Sequence, residues 1–357
     1  MKRQLLTGII LLLSAAVLLI SATSHQAPKK PTPLKLQIPD GWPKPATDIF
    51  AGNPLTEEGF QLGRKLFYDG RLSRDGNFSC ASCHQQYAGF ANFDHDFSHG
   101  FNNSFTNRNA PGLFNIAWMQ RLHWDGSITH IEVQPLAPIS APNEMAEEIN
   151  HVLDKLRADT TYLRMFKAAF GTTEISAPRM MKAIAQFVGS IVSCNSKYDK
   201  VKKKQAFFTA TEELGYSVYK THCSSCHPEP LFTDNSFRNN GLPLSATHPD
   251  AGLAKVTGLA SDSFKFKVPS LRNVALTVPY MHDGRFSSIS EVIDHYQQGI
   301  NQQSATLDSL LRKPLRLSTL EKNALGYFLN TLTDTALIRN PRYTAPGGLT
   351  VILIHPH

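Results

Sequence analysis

Two copies of the pattern Cys-x-x-Cys-His constrain this chain more than any other feature of its sequence. They span residues 80–84 and 223–227. Two thiols at this spacing can each add to one vinyl group of a single porphyrin, and the adjacent histidine can bind its iron. A zinc site or a redox Cys-x-x-Cys pair is the alternative, but haem attachment is the chemistry that requires the histidine directly after the second cysteine. The sequence therefore predicts two covalently bound haems c, held by Cys80, Cys83, His84, Cys223, Cys226 and His227.

The N-terminal residues have the pattern of an exported protein. Lys2 and Arg3 precede an apolar run over residues 5–20, and small residues follow at 21–24. This predicts a signal peptide over residues 1–24, with an uncleaved membrane anchor as the alternative, although the run is short for a membrane span. Residues 25–47 are rich in Pro and Lys and are expected to form an extended tether. Because covalent haem attachment is a chemistry of exported proteins, we predict a periplasmic location, with membrane contact only if the segment stays uncleaved.

Composition sets the size and excludes one class of partner. The 357 residues suffice for two domains with cores of their own. The net charge of +7 includes a basic run at residues 200–204, which we interpret as a solvated linker because no aromatic residues interleave it. We therefore expect no nucleic acid partner. The fifth cysteine, Cys194, follows an apolar helical pattern and is expected to be a buried, inert thiol.

The order of sequence blocks indicates a duplication. A helical pattern with the same internal spacing precedes each Cys-x-x-Cys-His motif, with Leu62, Gly63 and Phe67 in the first copy and Leu214, Gly215 and Tyr219 in the second. An Arg-Asn pair and then an x-Asp-Gly block follow each motif in the same order. We therefore predict an all-α fold of two cytochrome c-like domains with one haem each, residues 48–204 and 205–340, followed by a C-terminal tail at 341–357.

Capping patterns predict where several helices begin. Capping boxes are expected at Thr209/Glu212, Ser288/Glu291 and Ser318/Glu321, and a helix start near Pro54 to Glu58. Two further helices are expected, from Pro142 toward Leu156 and from Ser176 to near Cys194. Strand signals are weak apart from residues 349–354. The long segment 85–107 is unusual in a compact domain and is expected to wrap a cofactor.

Three further blocks give the chain a family resemblance. With both haem motifs, the blocks Arg108-Asn109-Ala110-Pro111, Trp124-Asp125-Gly126 and residues 279–284 resemble the bacterial dihaem cytochrome c peroxidases and their MauG-type relatives, over about residues 50–335. The resemblance implies that the N-terminal haem, on His84, reduces hydrogen peroxide to water. It also implies that the C-terminal haem, on His227, receives electrons from a small c-type cytochrome or a cupredoxin.

The same resemblance implies roles for residues around the haems. Glu144 is the acid of the distal block that begins at Pro138, and Gln134 matches a second distal position. A carboxylate there would move a proton between the two oxygens of peroxide. From its position alone, Glu144 would be an ordinary acid in the first turn of a helix. Trp124 matches a tryptophan placed between the haems, and is otherwise a core aromatic.

A calcium ion between the haems is also implied by the resemblance. Asn109 would supply its side-chain oxygen, and Thr277 and Pro279 their backbone carbonyls. Oxygen ligands suit calcium, and water would complete the coordination of three neutral ligands.

Three positions depart from the classical peroxidases. Phe101 stands where a distal histidine often binds the resting first haem, which predicts an open iron; a shifted loop would instead bring His99 there, and His95 lies further away. Tyr296 lies fourteen residues after the His of the His-Asp-Gly block, where MauG-type proteins have tyrosine in place of methionine as the second ligand of the C-terminal haem. Met281 is the competing ligand. His123 replaces a phenylalanine that the family usually has there.

Three functional hypotheses follow. The first is a dihaem cytochrome c peroxidase. The second is a MauG-like dihaem oxidase that acts on a protein or an organic substrate, and Tyr296 and Phe101 favour it. The third is a dihaem electron carrier without a catalytic site, which predicts two fully ligated haems. We expect a monomer or a homodimer.

Overall fold

The structure is a computed structural model that describes residues 30–347. The predicted signal peptide and the strand signal at 349–354 lie outside the described residues. The helices are α1 Glu57–Phe67, α2 Cys80–Cys83, α3 Leu136–Ser140, α4 Ile149–Arg157, α5 Thr160–Phe170, α6 Ala177–Gly189, α7 Lys197–Lys202, α8 Ala210–His222, α9 Ala254–Thr257, α10 Ile289–Asp294, α11 Thr319–Asn330 and α12 Thr335–Ile338. A π-helical turn, His295–Gly299, extends α10. Short 3₁₀ turns and loops make up much of the rest.

The fold is mostly helical, as expected, with one small sheet that the all-α prediction did not include. Strands β1 (Phe237–Arg238) and β2 (Phe266–Lys267) pair in antiparallel register, with Phe237 opposite Lys267. No helix among residues 30–347 is long and apolar enough to cross a membrane.

The same helix crossing occurs before each Cys-x-x-Cys-His motif. Helix α1 packs on α6, and a Cβ atom at Gly63 would lie 1.9 Å from the carbonyl oxygen of Ala183. Helix α8 packs on α11, where a Cβ atom at Gly215 would lie 1.9 Å from the carbonyl oxygen of Ala324. Only glycine permits either approach. The repeated Leu-Gly spacing thus has a packing cause, which supports the predicted duplication.

Side-chain caps fix most of the expected helix starts. Thr56 caps α1, and the boxes at Thr209/Glu212 and Ser318/Glu321 form as predicted. At α10 only half of the box forms. Ser288 accepts from the backbone N–H of Glu291, while the Glu291 carboxylate accepts from Ser287, one residue earlier than predicted.

Two helix boundaries were predicted wrongly. The helix expected from Pro142 begins only at Ile149, because Ala146 has φ +53° and its backbone N–H bonds back to Ala141, which closes a turn instead. Glu144 therefore lies in a turn. The helix expected to run to near Cys194 ends at Gly189. The chain after it is held instead by the Asp334 carboxylate, which accepts from the backbone N–H of Cys194 at 2.9 Å.

One buried ion pair links α7 to the loop that follows β2, and a cation–π contact joins the tether to it. Arg272 is fully buried and donates to both carboxylate oxygens of Asp199, at 2.9 and 2.8 Å. Its Nε donates to the carbonyl oxygen of Pro230 at 2.8 Å, and its guanidinium lies 4.5 Å from the Trp42 ring centre. Burial alone would raise the pKa of Asp199, but Arg272 outweighs it and holds that pKa below its ordinary value.

We expect Arg272→Met to lower the free energy of unfolding by about 3–5 kcal/mol, because it leaves the Asp199 charge buried without its partner. Denaturant unfolding followed by far-ultraviolet circular dichroism measures this loss. The matched double variant, Arg272→Met with Asp199→Asn, should recover part of it. Since the pKa of Asp199 is lowered in the folded state, the stabilisation is complete above its unfolded pKa of about 4 and is lost as the pH falls. Equal stability of wild type and Arg272→Met at pH 7 would contradict this assignment.

Candidate haem sites

The first motif presents a histidine that is oriented for an iron. Cys80 and Cys83 lie at the two ends of α2, and His84 follows directly. The Nδ1 atom of His84 lies 2.9 Å from the carbonyl oxygen of Phe90. A carbonyl only accepts, so Nδ1 carries the proton and Nε2 keeps its lone pair for a metal. Burial lowers the pKa of His84 to about 4, which keeps the imidazole neutral at pH 7.

The second motif repeats this arrangement. The Nδ1 atom of His227 lies 3.1 Å from the carbonyl oxygens of both Phe232 and Pro269, and burial lowers its pKa. The hydroxyl of Tyr219 donates to the carbonyl of His227. All four motif cysteines are free thiols. Two free thiols beside a histidine with an available Nε2 are what covalent haem attachment requires, so the residues present at both motifs fit a haem c.

Glu144 lies close to the first motif. Its charge contributes, after burial, to raising the pKa of the Cys83 thiol to about 11. Burial also raises the pKa of Glu144 itself. The backbone carbonyl of Glu144 accepts a hydrogen bond from the backbone N–H of Phe101 at 2.7 Å. This bond joins the turn that carries Glu144 to the segment that contains Phe101. The structure thus brings Glu144, predicted as the acid, to the thiol end of the first motif.

The segment before Arg108 places the aromatic ring of Phe101 beside the Glu144 turn. The guanidinium of Arg74 lies 5.3 Å from the Phe101 ring centre. Both side chains line an open cleft of about 450 Å³, with Ser140 and Pro142 from the acid-bearing segment on its other wall. His99 packs its ring against Phe105, with 4.7 Å between ring centres.

Gln134 contacts His123, a residue to which the sequence motifs assigned no role. Its Nε2 atom lies 3.4 Å from Nε2 of His123. The charge of His123 contributes to lowering the pKa of His84, which places this pair near the first motif. Burial, followed by the positive charges of Lys267 and Arg108, outweighs Asp125 and lowers the pKa of His123.

Trp124 lies at the junction between the two repeats. Its Nε1 atom donates to the carbonyl oxygen of Asn109 at 2.8 Å, and its own carbonyl accepts from the backbone N–H of Lys267 in β2 at 2.8 Å. Arg108 ties the same junction together, bonding Asp250 at 2.6 Å and Asp125 at 2.6 Å. Trp124 therefore contacts both halves of the chain, whatever its redox role.

Both candidate ligands of the second iron contact one amide. Asn240 Nδ2 lies 3.5 Å from Met281 Sδ, and the same side chain lies close enough to the Tyr296 hydroxyl to lower its pKa. Burial raises the pKa of Tyr296 to about 12, and charges on Cys223 and Cys226 add to the effect, so the phenol faces the second motif. Sequence reasoning missed Asn240, because a polar residue in a loop gives no spacing signal of its own.

The oxygens expected to bind calcium have few protein partners. Asn109 is buried, and its Nδ2 donates to the carbonyls of His95 and Asp96 at 3.4 and 3.2 Å, which leaves Oδ1 as an acceptor. Within the described part of the chain, no protein donor bonds this Oδ1 or the backbone oxygens of Thr277 and Pro279. Residues 30–347 also hold no group of three or more His, Cys, Asp or Glu that could bind a metal. The three neutral oxygens fit the hard, oxygen-preferring chemistry of calcium.

Comparison with known proteins identifies the family of this chain. A family model described as di-haem cytochrome c peroxidase matches residues 57–206. The methylamine utilization protein MauG of Methylorubrum extorquens is 35% identical over 81% of this chain and 82% of its own length. The cytochrome c551 peroxidase of Nitrosomonas europaea is 34% identical over 70% of this chain and 76% of its own length.

Solved structures show the same fold. The crystal structure of a MauG-like protein associated with microbial copper homeostasis superposes with a TM-score of 0.81 at 35% identity, covering 88% of this chain and 99% of that one. The diheme peroxidase BthA of Burkholderia thailandensis, at 20% identity, superposes with a TM-score of 0.70 over 88% of this chain and 98% of its own. The second likeness concerns the fold alone.

Proposed function

Because this chain belongs to the di-haem cytochrome c peroxidase family, we propose that it reduces hydrogen peroxide at the haem held by His84, with electrons that enter through the haem held by His227. Family membership makes it a haem peroxidase with two haems c; the assignment of roles to individual residues is our proposal. The single observation that carries it is the asymmetry between the two motifs. An acid lies beside the first, while a phenol and a thioether lie beside the second.

Each haem, once bound, supplies a redox-active iron that binds peroxide or transfers an electron. The chain supplies the proton chemistry around it. Glu144 would take a proton from one peroxide oxygen and return it to the other, so that the O–O bond breaks and the second oxygen leaves as water, with the two electrons supplied by the bound haem. Burial favours this role because it raises the pKa of Glu144 toward the working pH. We expect Gln134 to orient peroxide beside this acid, and its contact with His123 near the first motif supports this role.

Trp124 connects the repeats in this proposal. Its indole is fixed by the carbonyl of Asn109, and its backbone is fixed by Lys267. An aromatic ring held rigidly between two cofactors shortens the distance that an electron must cross in one step. Its bonds to both halves of the chain support this position.

We expect Trp124→Phe to reduce steady-state peroxidase turnover about 10-fold or more, because electrons would lose their aromatic intermediate between the haems. A tenfold loss corresponds to about 1.4 kcal/mol in an activation barrier. The first reaction of the protein with peroxide should stay within about twofold of wild type. Stopped-flow spectra separate the two steps. Trp118→Phe is the matched control, because that indole donates to the carbonyl of Pro43 in the tether. If both steps slowed equally in Trp124→Phe, the indole would act on the peroxide pocket and not on electron transfer.

A MauG-like oxidase is the second candidate function, and Tyr296 favours it. A tyrosine oxygen is a hard ligand that stabilises higher iron states, whereas a methionine sulfur favours ferrous iron. The half-buried phenol faces the Cys223 and Cys226 pair and lies close to the Asn240 side chain. Relatives named MauG are 35% and 33% identical to this chain.

Steady-state oxidation of a reduced small c-type cytochrome or cupredoxin by hydrogen peroxide tests the proposed function. A peroxidase gives sustained, saturable turnover with such a donor. A MauG-like oxidase reacts with peroxide but turns over slowly with these donors, and that result would favour the second candidate. A protein that does not react with peroxide at all would be the dihaem electron carrier.

Three finer points belong to the same proposal. A calcium ion held by Asn109, Thr277 and Pro279 would rigidify the junction that carries Trp124, and their available oxygens support it. Relatives in this family are periplasmic c-type cytochromes, and export through residues 1–24 would bring this chain to the same compartment. The domain boundaries at residues 48, 204 and 340, and a monomeric or homodimeric state, stay predictions.

A further inference from the structure

His123 is held at both of its ring nitrogens. Its backbone has φ +64° at the tip of a short hairpin closed by the Leu122–Ile128 bridge, which fixes the direction of the side chain. Nδ1 lies 3.2 Å from the hydroxyl oxygen of Ser127, and Nε2 lies 3.4 Å from Nε2 of Gln134. The imidazole therefore bridges the hairpin to the segment that carries Gln134.

These contacts are compatible with one protonation state. The amide nitrogen of Gln134 can only donate, so Nε2 of His123 must accept from it. The proton of the neutral imidazole then lies on Nδ1, where the Ser127 hydroxyl accepts it. In a protonated imidazole, Nε2 carries a hydrogen that would face the amide N–H of Gln134, so two donors would point at each other. Protonation of His123 therefore requires the Gln134 amide to flip.

The second repeat has an equivalent hairpin position, and its neighbours lie near the second motif. The Leu122–Ile128 bridge has its counterpart in the Tyr280–Phe286 bridge, and Met281 occupies the place of His123 with φ +73°. Met281 lies beside Asn240, which is also close to Tyr296 at the second motif. By the same geometry His123 lies beside the first haem, in agreement with its electrostatic effect on His84.

We propose that neutral His123 is a positioning residue that holds Gln134 by its amide nitrogen, so that the Gln134 carbonyl oxygen faces the peroxide pocket of the first haem. There the carbonyl accepts a hydrogen bond from the O–H of incoming peroxide. Acidification protonates His123, turns the amide, and presents an N–H donor to the pocket instead. The identity of the incoming substrate in this inference rests on the proposed function. The orientation of the Gln134 amide does not depend on the proposed function.

The groups around His123 keep it neutral at pH 7. Burial lowers its pKa, and the positive charges of Lys267 and Arg108 act in the same direction. Asp125 opposes them, but its carboxylate is bound by Arg108 at 2.6 Å. Gln134 and Ser127 contact the ring and carry no charge, and His84, which also interacts with His123, is kept neutral by burial. The switch is therefore expected on the acidic side of the ordinary histidine range.

The test uses the holoprotein in three forms: wild type, His123→Phe and His123→Gln. The C–O stretching band of the carbon monoxide complex of the first haem, recorded between pH 4 and 8, reports whether a donor or an acceptor faces the pocket. We expect the wild-type band to move to lower frequency as the pH falls, and the two variants to lack this movement. The rate constant for the reaction with peroxide at pH 7 should fall about five- to tenfold in His123→Phe, which is the effect of one lost hydrogen bond. It should be largely restored in His123→Gln, because glutamine keeps an acceptor for the Gln134 amide.

Several results would overturn the proposed role of His123 or separate it from the proposed function. A pH-dependent band that persists in His123→Gln belongs to another group, such as Glu144, and overturns the inference. A ferric first haem that is low-spin in wild type and high-spin in His123→Phe would make His123 an axial ligand and also overturn it. If no form reacts with peroxide, the proposed function fails while the band still reports the amide. If His123→Phe does not fold, wild type and His123→Gln alone give the comparison.

Discussion

Replacing Glu144 by glutamine is expected to slow the reaction of the ferric protein with hydrogen peroxide by about 10²–10⁴-fold, the usual contribution of a positioned acid–base group. Glutamine has nearly the same shape but cannot carry the proton from one peroxide oxygen to the other. Glu144 lies in the turn tied to Phe101 and close to Cys83, so no other carboxylate is expected to replace it. Stopped-flow spectroscopy of the Soret band measures the rate constant directly.

The pH dependence of the reaction rate with peroxide tests the role of Glu144 a second time. Because burial raises the pKa of Glu144, the carboxylate form is present only above that raised value. The wild-type rate should therefore fall as the pH drops through it, and Glu144→Gln should lack this titration. Glu148→Gln, four residues further on at an exposed position, is the matched control and should react like wild type. If Glu144→Gln reacted as fast as wild type, the acid–base assignment would be wrong.

Replacing Tyr296 by phenylalanine is expected to change the ferric spectrum of the second haem and to raise its reduction potential by on the order of 100 mV or more, within the range of about 0.8 V that axial ligands control. The phenol faces Cys223 and Cys226, and we propose that the substitution removes a hard oxygen ligand of this haem. Potentiometric titration followed by optical and electron paramagnetic resonance spectra measures both changes.

Met281→Leu is the matched variant for this ligand assignment. Its sulfur lies 3.5 Å from the amide nitrogen of Asn240, the residue that also lies close to the Tyr296 hydroxyl, so Met281 is the competing candidate for this ligand position. We expect Met281→Leu to leave the second haem nearly unchanged. A spectrum altered by Met281→Leu and unaffected by Tyr296→Phe would reverse the assignment and favour an ordinary electron-transfer haem.

The repeated local patterns allowed most of the helical framework to be predicted. The capping boxes at Thr209 and Ser318 depend on contacts three residues apart, and the sequence contains all of their partners. The Gly63 and Gly215 positions were visible as a repeat, although the carbonyl that each approaches was not. The helix near Glu144 was misplaced because the positive φ of Ala146, a residue with high helix propensity, is imposed by its surroundings.

The rest of the candidate site depends on contacts between distant parts of the chain. Asn240 meets Met281 and Tyr296 across more than 40 residues, and Lys267 reaches Trp124 across more than 140. No spacing rule connects such positions. The resemblance to a family indicated Glu144, Gln134 and Trp124, but it could not indicate how His123 would be used, because that residue departs from the family pattern.

Haem content and spin state test the central claim most directly. A pyridine haemochrome assay with electron paramagnetic resonance of the ferric holoprotein should give two haems c per chain that survive acid–acetone extraction, one high-spin with an open coordination position and one low-spin. Fewer than two covalently bound haems, or two low-spin haems in every oxidation state, would contradict it.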